Sequence, residues 1–198
     1  MNDVANMLEN ALRGGEHRLG VRIYFEDTDA GGIVYHANYL RYAERARSEA
    51  LRSLGVPHAE MVDVHDRMFV VHRAEIDYER PARLDDLITV ATRVRQIAAA
   101  RVALDQTIRR DAITLVRIRL QLACVDRASG RPARLPAEMR AALVRMHEDL
   151  VVRMHEDSIV QMHEDSVVHP HEAAVVHPHE AGLAGGKTED GLAAVEGD

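Results

Sequence analysis

The stretch that decides the fold is YLRYAERARSEALRSL, residues 39–54. Residues spaced three and four apart lie on one face of an α-helix, and apolar residues recur here at those spacings. Gly55 and Pro57 follow, and both residue types are typical of a helix end. We therefore predict one amphipathic helix whose apolar face needs a partner surface. That face consists of Leu40, Ala43, Ala46, Ala50, Leu51 and Leu54.

Four segments after this helix alternate between apolar and polar residues, a period of two that is typical of half-buried β-strands. They are Phe69–Tyr78, 88–94, 102–108 and 116–124, and the last is the clearest. A shorter strand-like segment, Val21–Tyr24, precedes the helix. Short polar connections join the four segments, which favours antiparallel pairing because parallel strands need long crossovers. The sequence thus predicts an α+β fold in which one sheet wraps its apolar face around one helix.

Charge divides the 198-residue chain into two unlike parts. The whole chain has 25 basic and 32 acidic residues, a net charge of −7, which disfavours nonspecific binding to nucleic acid. Residues 1–143 carry 22 basic and 20 acidic groups, whereas residues 144–198 carry 3 and 12, so the net charges are +2 and −9. Cys124 is the single cysteine, and no apolar run approaches the ~20 residues of a membrane span. We therefore expect a cytoplasmic protein.

The acidic part begins with a tandem repeat. Written in eights, residues 144–183 run VRMHEDLV, VRMHEDSI, VQMHEDSV, VHPHEAAV and VHPHEAGL. A period of eight builds no stripe on a helix of 3.6 residues per turn, and Pro170 and Pro178 oppose helix in the last two units. We predict that the repeats are disordered. The expected organisation is a flexible leader over 1–17, one folded domain over 18–143, the repeat tail over 144–183 and a polar flexible end over 184–198.

Chemistry is expected at the turn between the first strand and the helix, whose sequence EDTDAGG spans residues 26–32. Asp29 follows a strand end and could act as a general base toward water or as a nucleophile. Free N–H groups at a helix start can bear the charge that develops on a carbonyl oxygen. Gly31 and Gly32 would let a substrate approach the backbone closely. The alternative is a loop whose acids only cap the helix.

The same stretch resembles a known enzyme family. EDTDAGGIVYHANYL at 26–40 and YAERAR at 42–47 resemble the active-site segment of hotdog-fold acyl-CoA thioesterases. The resemblance is closest to the Tol-Pal-associated bacterial branch of the 4-hydroxybenzoyl-CoA thioesterase family. It continues through the block FVV, the residue Tyr78 and the blocks PARLDD, CVD and RLP, and so covers roughly residues 18–142.

The resemblance implies a hotdog fold, in which an antiparallel sheet wraps around one long helix and the chains assemble as homodimers or homotetramers. It also implies hydrolysis of an acyl-CoA without a metal or organic cofactor. Asp29 falls at the family's catalytic aspartate. His36 falls at a position with a catalytic or oxyanion-stabilising role, and Gly31, Gly32 and Tyr35 are expected to help position the substrate around it.

Further site residues are expected on weaker grounds. Phe25 and Tyr39 are candidates for the acyl pocket, although the branch often has a tyrosine where this chain has Phe25. Arg131 and Arg134 are candidates for binding the CoA phosphates.

Two other functions stay open. One is non-hydrolytic binding of acyl-CoA or acyl-carrier protein at the membrane-associated Tol-Pal machinery, and the other is metal binding through the histidine-rich tail.

Overall fold

The computed structural model describes residues 11–147, which form one six-stranded antiparallel sheet, three α-helices and one short 3₁₀ helix, Phe25–Asp27. The sheet has the order β1-β2-β4-β5-β6-β3, and each neighbouring pair of strands is antiparallel. The elements in chain order are β1 (Ala11–Arg13), β2 (Glu16–Arg22), α1 (Asn38–Ser53), α2 (His58–Asp63), β3 (Arg67–Tyr78), β4 (Leu87–Ile97), β5 (Arg101–Arg110), β6 (Ile113–Asp126) and α3, which spans 137–147.

The predicted helix is confirmed as α1, and it packs on the inner face of the sheet. Its buried face includes Ala43, Ala46, Ala50 and Leu51, as the spacing predicts. Leu40 is 37% exposed, however, and the side chains of Tyr39 and Tyr42 pack inward instead. None of the helices in the described part of the chain is long and apolar enough to cross a membrane.

The space between α1 and the sheet holds two apolar clusters. The first, here the turn-side cluster, lies under the first half of α1 and includes Ile23, Val34, Tyr39 and Leu115. The second, here the helix-side cluster, lies under the second half of α1 and is closed by α2 and α3. Its members include Leu51, Met61, Leu104, Leu122, Met139, Leu143 and Met146.

A buried polar group separates the two clusters. The Gln106 side-chain amide donates to the Ala43 carbonyl and to the Thr92 hydroxyl, at 2.9 Å each. The Arg47 guanidinium donates to the Gln106 side-chain oxygen at 2.8 Å. Burial of Arg47 lowers the pKa of its guanidinium, although the nearby charge of Glu44 raises it. Gln106 therefore satisfies the polar groups that α1 and β4 bring into the interior.

The expected leader over residues 1–17 is wrong for its last seven residues. Residues 11–13 and 16–17 pair in the sheet across a turn at Gly14 and Gly15. Burial alone would raise the pKa of the Glu16 carboxyl, but hydrogen bonds and charges from Arg18 and Arg93 lower it. This buried ion-pair group holds the start of β2 against β4. Residues 1–10 lie outside the described part.

The predicted domain end at Leu143 is also too early. Helix α3 continues to residue 147, the last described residue. Met146 is 1% exposed in the helix-side cluster, and the His147 Nδ1 atom lies 3.0 Å from the Val94 carbonyl oxygen. The first half of the first repeat therefore belongs to the fold and is not disordered. The remaining repeats and the polar end lie outside the described residues.

Candidate active site

The Asp29 carboxylate is exposed at the tip of a turn that the local sequence stabilises. Its Oδ1 atom accepts the Gly31 N–H at 2.8 Å, and the backbone closes the turn with bonds from Asp29 N–H to Ile33 O and from Gly32 N–H to Asp29 O, both 2.9 Å. A side chain at position 31 would meet that carboxylate oxygen at 3.1 Å, and Gly32 has φ +70°. The left-handed backbone favours glycine at 32, and a side chain at 31 would have to displace the Asp29 carboxylate by a few tenths of an ångström.

Asp27 fixes the base of this turn. Its carboxylate accepts the Tyr24 N–H at 2.9 Å, and its carbonyl accepts the Tyr35 N–H at 3.0 Å and the Asn38 side-chain amide at 2.9 Å. These bonds tie the segment that follows β2 to the start of α1. The Asp29 tip therefore projects from a rigid base.

Two backbone N–H groups at the start of α1 are available to a ligand. The N–H groups of Gly31, Gly32 and Tyr35 are used within the turn. Those of His36 and Ala37 have no acceptor anywhere within residues 11–147. They sit at the positive end of the α1 dipole, where donors lack intrahelical partners. Of the expected oxyanion donors, His36 remains free, and Ala37 joins it.

His36 is exposed and is held by two aromatic neighbours. The Tyr78 hydroxyl donates to the His36 carbonyl oxygen at 3.2 Å, and the ring of Tyr78 stands edge-on to the imidazole at 6.4 Å. The Tyr35 ring lies 4.4 Å from the imidazole on another side. Tyr78 belongs to the family resemblance, but its sequence position predicts no role, because its place beside His36 depends on the register in which Tyr78 pairs with Val116.

The two acyl-pocket candidates lie in opposite environments. Phe25 is 81% exposed beside the Asp29 turn. Tyr39 is 3% exposed, packs against the rings of Tyr42 and Tyr78, and accepts the Ala82 N–H on its hydroxyl at 2.8 Å. Burial raises the pKa of the Tyr39 hydroxyl. Within one protomer Tyr39 is a core residue, and Phe25 is free to meet a ligand or a second chain.

Arg131 and Arg134 lie at the far end of the sheet. They follow β6, where the Arg131 carbonyl accepts the Asp126 N–H at 2.9 Å. The Asp29 turn is near the other end of β6, since Leu115 O accepts the N–H of Glu79 directly after Tyr78. At about 3.3 Å per residue, Leu115 and Asp126 are roughly 36 Å apart along this strand. One protomer therefore does not bring these arginines to Asp29.

Metal-binding arrangements are absent from the described region: no three His, Cys, Asp or Glu side chains of residues 11–147 are grouped to hold an ion. Six of the seven tail histidines lie beyond residue 147. The expected metal binding by the tail therefore falls outside the described residues.

The chain is similar to proteins named as thioesterases. It is 42% identical to acyl-CoA thioesterase YbgC of Haemophilus influenzae over 122 residues, which is 62% of this chain and 90% of that protein. It is 38% identical to acyl-CoA thioester hydrolase YbgC of Escherichia coli over 126 residues, 63% of this chain and 92% of the relative.

A solved structure of a probable thioesterase is also similar to this chain. The probable thioesterase from Bartonella henselae superposes with a TM-score of 0.59 at 38% identity, covering 61% of this chain and 99% of its own. These neighbours confirm the predicted hotdog fold. The Thioesterase-like superfamily matches residues 23–143, a span that begins just before the Asp29 turn and ends in α3. On this match and this fold, the chain belongs to the Thioesterase-like superfamily.

Proposed function

We propose that this protein hydrolyses acyl-CoA thioesters to a free acid and CoA. One observation carries the proposal: an exposed carboxylate, Asp29, lies in the turn that leads into the start of α1, where the N–H groups of His36 and Ala37 have no acceptor within residues 11–147. A carboxylate that activates or replaces water and a pair of donors for an oxyanion are the two parts that acyl transfer needs. The names of the relatives at 38–42% identity support the same reaction.

The reaction runs through a tetrahedral intermediate. The acyl carbonyl oxygen lies toward the His36 and Ala37 N–H groups and gains negative charge as the carbonyl carbon is attacked. The C–S bond then breaks, CoA leaves as the thiolate, and the thiolate takes up a proton. Either Asp29 takes a proton from the attacking water, or Asp29 attacks the carbon itself and water then hydrolyses the acyl anhydride.

Isotope labelling distinguishes the two roles of Asp29. In a single turnover in ¹⁸O water, a general base leaves the label in the released acid only. A nucleophile produces an anhydride, and its hydrolysis can place ¹⁸O in the Asp29 carboxylate. Mass spectrometry of the peptide that carries Asp29 reads this out.

The proposed assembly is a homodimer through β3, which is one of the two edge strands of the sheet. Val71 is 56% exposed on β3, and an apolar edge strand left open invites pairing with another chain. Antiparallel pairing of two β3 strands places the Arg67 end of one beside the Tyr78 end of the other. Arg131 and Arg134 of a second copy would then lie at the Asp29 end of the first, where they could bind CoA phosphates. A tetramer would add a second interface.

A panel of acyl-CoAs tests the proposal. Wild-type protein is incubated with CoA esters of short, medium and long chains and with an aromatic ester, and free thiol is measured. We expect turnover of at least one ester. No thiol release from any ester would overturn the proposal, and tight binding without release would favour the non-hydrolytic function.

Partners and location stay predictions. Interaction with acyl-carrier protein or with the Tol-Pal machinery, and a cytoplasmic location, rest on the family resemblance and on composition. Pull-down with purified acyl-carrier protein tests the first of these directly.

A further inference from the structure

One tyrosine hydroxyl binds the backbone at the start of α1. Tyr78 is the last residue of β3, and its hydroxyl donates to the His36 carbonyl oxygen at 3.2 Å. The Tyr78 ring also stacks edge-on against the buried ring of Tyr39 at 5.9 Å, which fixes where the hydroxyl points. The sheet thus reaches the start of α1 through one side chain.

Peptide geometry transmits that contact to a donor. The carbonyl of one residue and the N–H of the next share a plane and point in opposite directions in a trans peptide. The described chain has no cis peptide bond. When Tyr78 holds the His36 carbonyl, it therefore also fixes the direction of the Ala37 N–H. The Ala37 N–H has no acceptor within the described residues.

The neighbouring peptide is fixed in a different way. The Asn38 N–H donates to the Tyr35 carbonyl at 2.9 Å, which fixes the direction of the His36 N–H. That bond is backbone to backbone and belongs to the turn itself. Of the two free donors, only the one at Ala37 has its peptide held by a side chain from the sheet.

We propose that Tyr78 is a positioning residue, which holds the His36 carbonyl so that the Ala37 N–H is aimed at the oxyanion. The inference rests on the proposed thioester hydrolysis. This role rests on the bond from Tyr78 to the His36 carbonyl and requires no contact with the acyl group or the attacking water. Tyr78 acts by keeping one donor in the direction that the transition state needs, at no cost in reorganisation during the reaction.

The substitution Tyr78→Phe removes the hydroxyl and keeps the ring packing. Removing an oxyanion donor outright lowers kcat by about 100-fold or more, so loss of its aim is expected to lower kcat by about 10-fold. Binding of a non-hydrolysable thioether analogue of acyl-CoA should change less than about two-fold, since no oxyanion forms on it. Tyr24→Phe is the matched control, because Tyr24 is 62% exposed at the same end of the molecule and its side chain makes no capping hydrogen bond.

A second measurement does not depend on activity. In a ¹⁵N–¹H correlation spectrum, the Ala37 amide resonance should move in Tyr78→Phe and stay in place in Tyr24→Phe. Unchanged kcat in Tyr78→Phe, or an equal loss of kcat and of analogue binding, would overturn the inference while wild-type turnover upholds the proposed function. An unmoved Ala37 resonance would overturn it as well. An inactive wild-type protein would instead overturn the proposed function, and the inference with it.

Discussion

The two ends of the molecule pack against the same helix, α1, in different ways. At the turn-side end, Ala43, Ala46 and Ala82 are fully buried, and these small residues bring α1 close to the sheet. At the helix-side end, a small apolar pocket of about 30 Å³ remains between α1, α3 and the sheet. Its walls include Leu54, Phe69, Leu104, Leu122, Leu143 and Met146.

The turn-side end carries the proposed chemistry, whereas the helix-side end contributes to the stability of the fold. The Asp29 turn is exposed and ordered by hydrogen bonds to its own backbone, so its side chains are available for reaction at little cost to packing. The helix-side end buries methionines and leucines, so substitutions there should change the free energy of unfolding and leave turnover alone. The buried group of Arg47, Gln106 and Thr92 marks the boundary between the two.

The largest expected effect on stability tests whether the first repeat belongs to the helix-side cluster. A chain that ends at Leu143 lacks Met146 and His147, whereas a chain that ends at His147 keeps both. Because Met146 fills the core, we expect the shorter chain to be less stable by about 3–5 kcal/mol. Urea unfolding of the two truncated chains measures the difference.

Turnover of the two truncated chains completes this comparison. Both should hydrolyse acyl-CoA at similar rates at a temperature where the shorter chain is still folded. Equal stability would show that α3 residues 144–147 do not contribute to the core. A large loss of turnover at full folding would show that the far end takes part in the chemistry.

Gln106→Met removes the central residue of the polar group that separates the two apolar clusters. This substitution keeps the volume but removes the acceptor of Arg47 and the donor to Thr92 and Ala43, and it leaves the half-buried Arg47 charge without this hydrogen bond. We expect a loss of about 2–4 kcal/mol in the free energy of unfolding. Gln121→Met on the outer face of the sheet is the control, with an expected change within about 0.5 kcal/mol.

Low pH should lower the free energy of unfolding through a histidine at the helix-side end. Burial lowers the pKa of His58 below its usual 6.5, so the folded state keeps this imidazole neutral. Below about pH 6.5 the unfolded chain binds a proton that the folded chain does not, and stability falls as pH falls, by up to about 1.4 kcal/mol per pH unit. Burial shifts the pKa of His17 in the same direction. In His58→Gln the decline in unfolding midpoint between pH 7 and pH 5.5 should be smaller, and an identical decline would assign it elsewhere.

The substitution with the smallest expected effect adds a methylene group to the pocket at the helix-side end. Val102 lines it from β5 and is buried, so Val102→Ile adds one methylene group to empty space. A gain of about 0.5–1 kcal/mol is expected, without change in turnover. Val64→Ile, at an exposed position, should have no effect. A destabilised Val102→Ile would show that the pocket cannot accept the added group.

Sequence patterns predicted the elements with clear periodicity. The helix spacing over 39–54 and the alternation over 116–124 both describe surfaces with one buried face, and both were confirmed. The sequence did not reveal that residues 144–147 continue a helix. The eight-residue repeat conceals a local pattern in which Met139, Leu143 and Met146 share one face of α3.

The site was predicted less completely than the fold. The turn of Asp29, Gly31 and Gly32 is local, so its chemistry could be inferred from neighbouring residues. Tyr78 comes to His36 through strand register, and Arg131 is distant from Asp29 for the same reason. Sequence spacing does not encode which strands become neighbours in a sheet, and these relations required the structure.

The most direct test of the account is turnover of Asp29→Asn. Asparagine keeps a side-chain oxygen that can accept the Gly31 N–H, so the turn and the unfolding midpoint should be preserved while the carboxylate is lost. We expect kcat/KM on the best acyl-CoA of the panel to fall by about 1,000-fold or more, with unfolding unchanged. Wild-type kcat/KM in Asp29→Asn would contradict the assignment of this carboxylate as the reacting group.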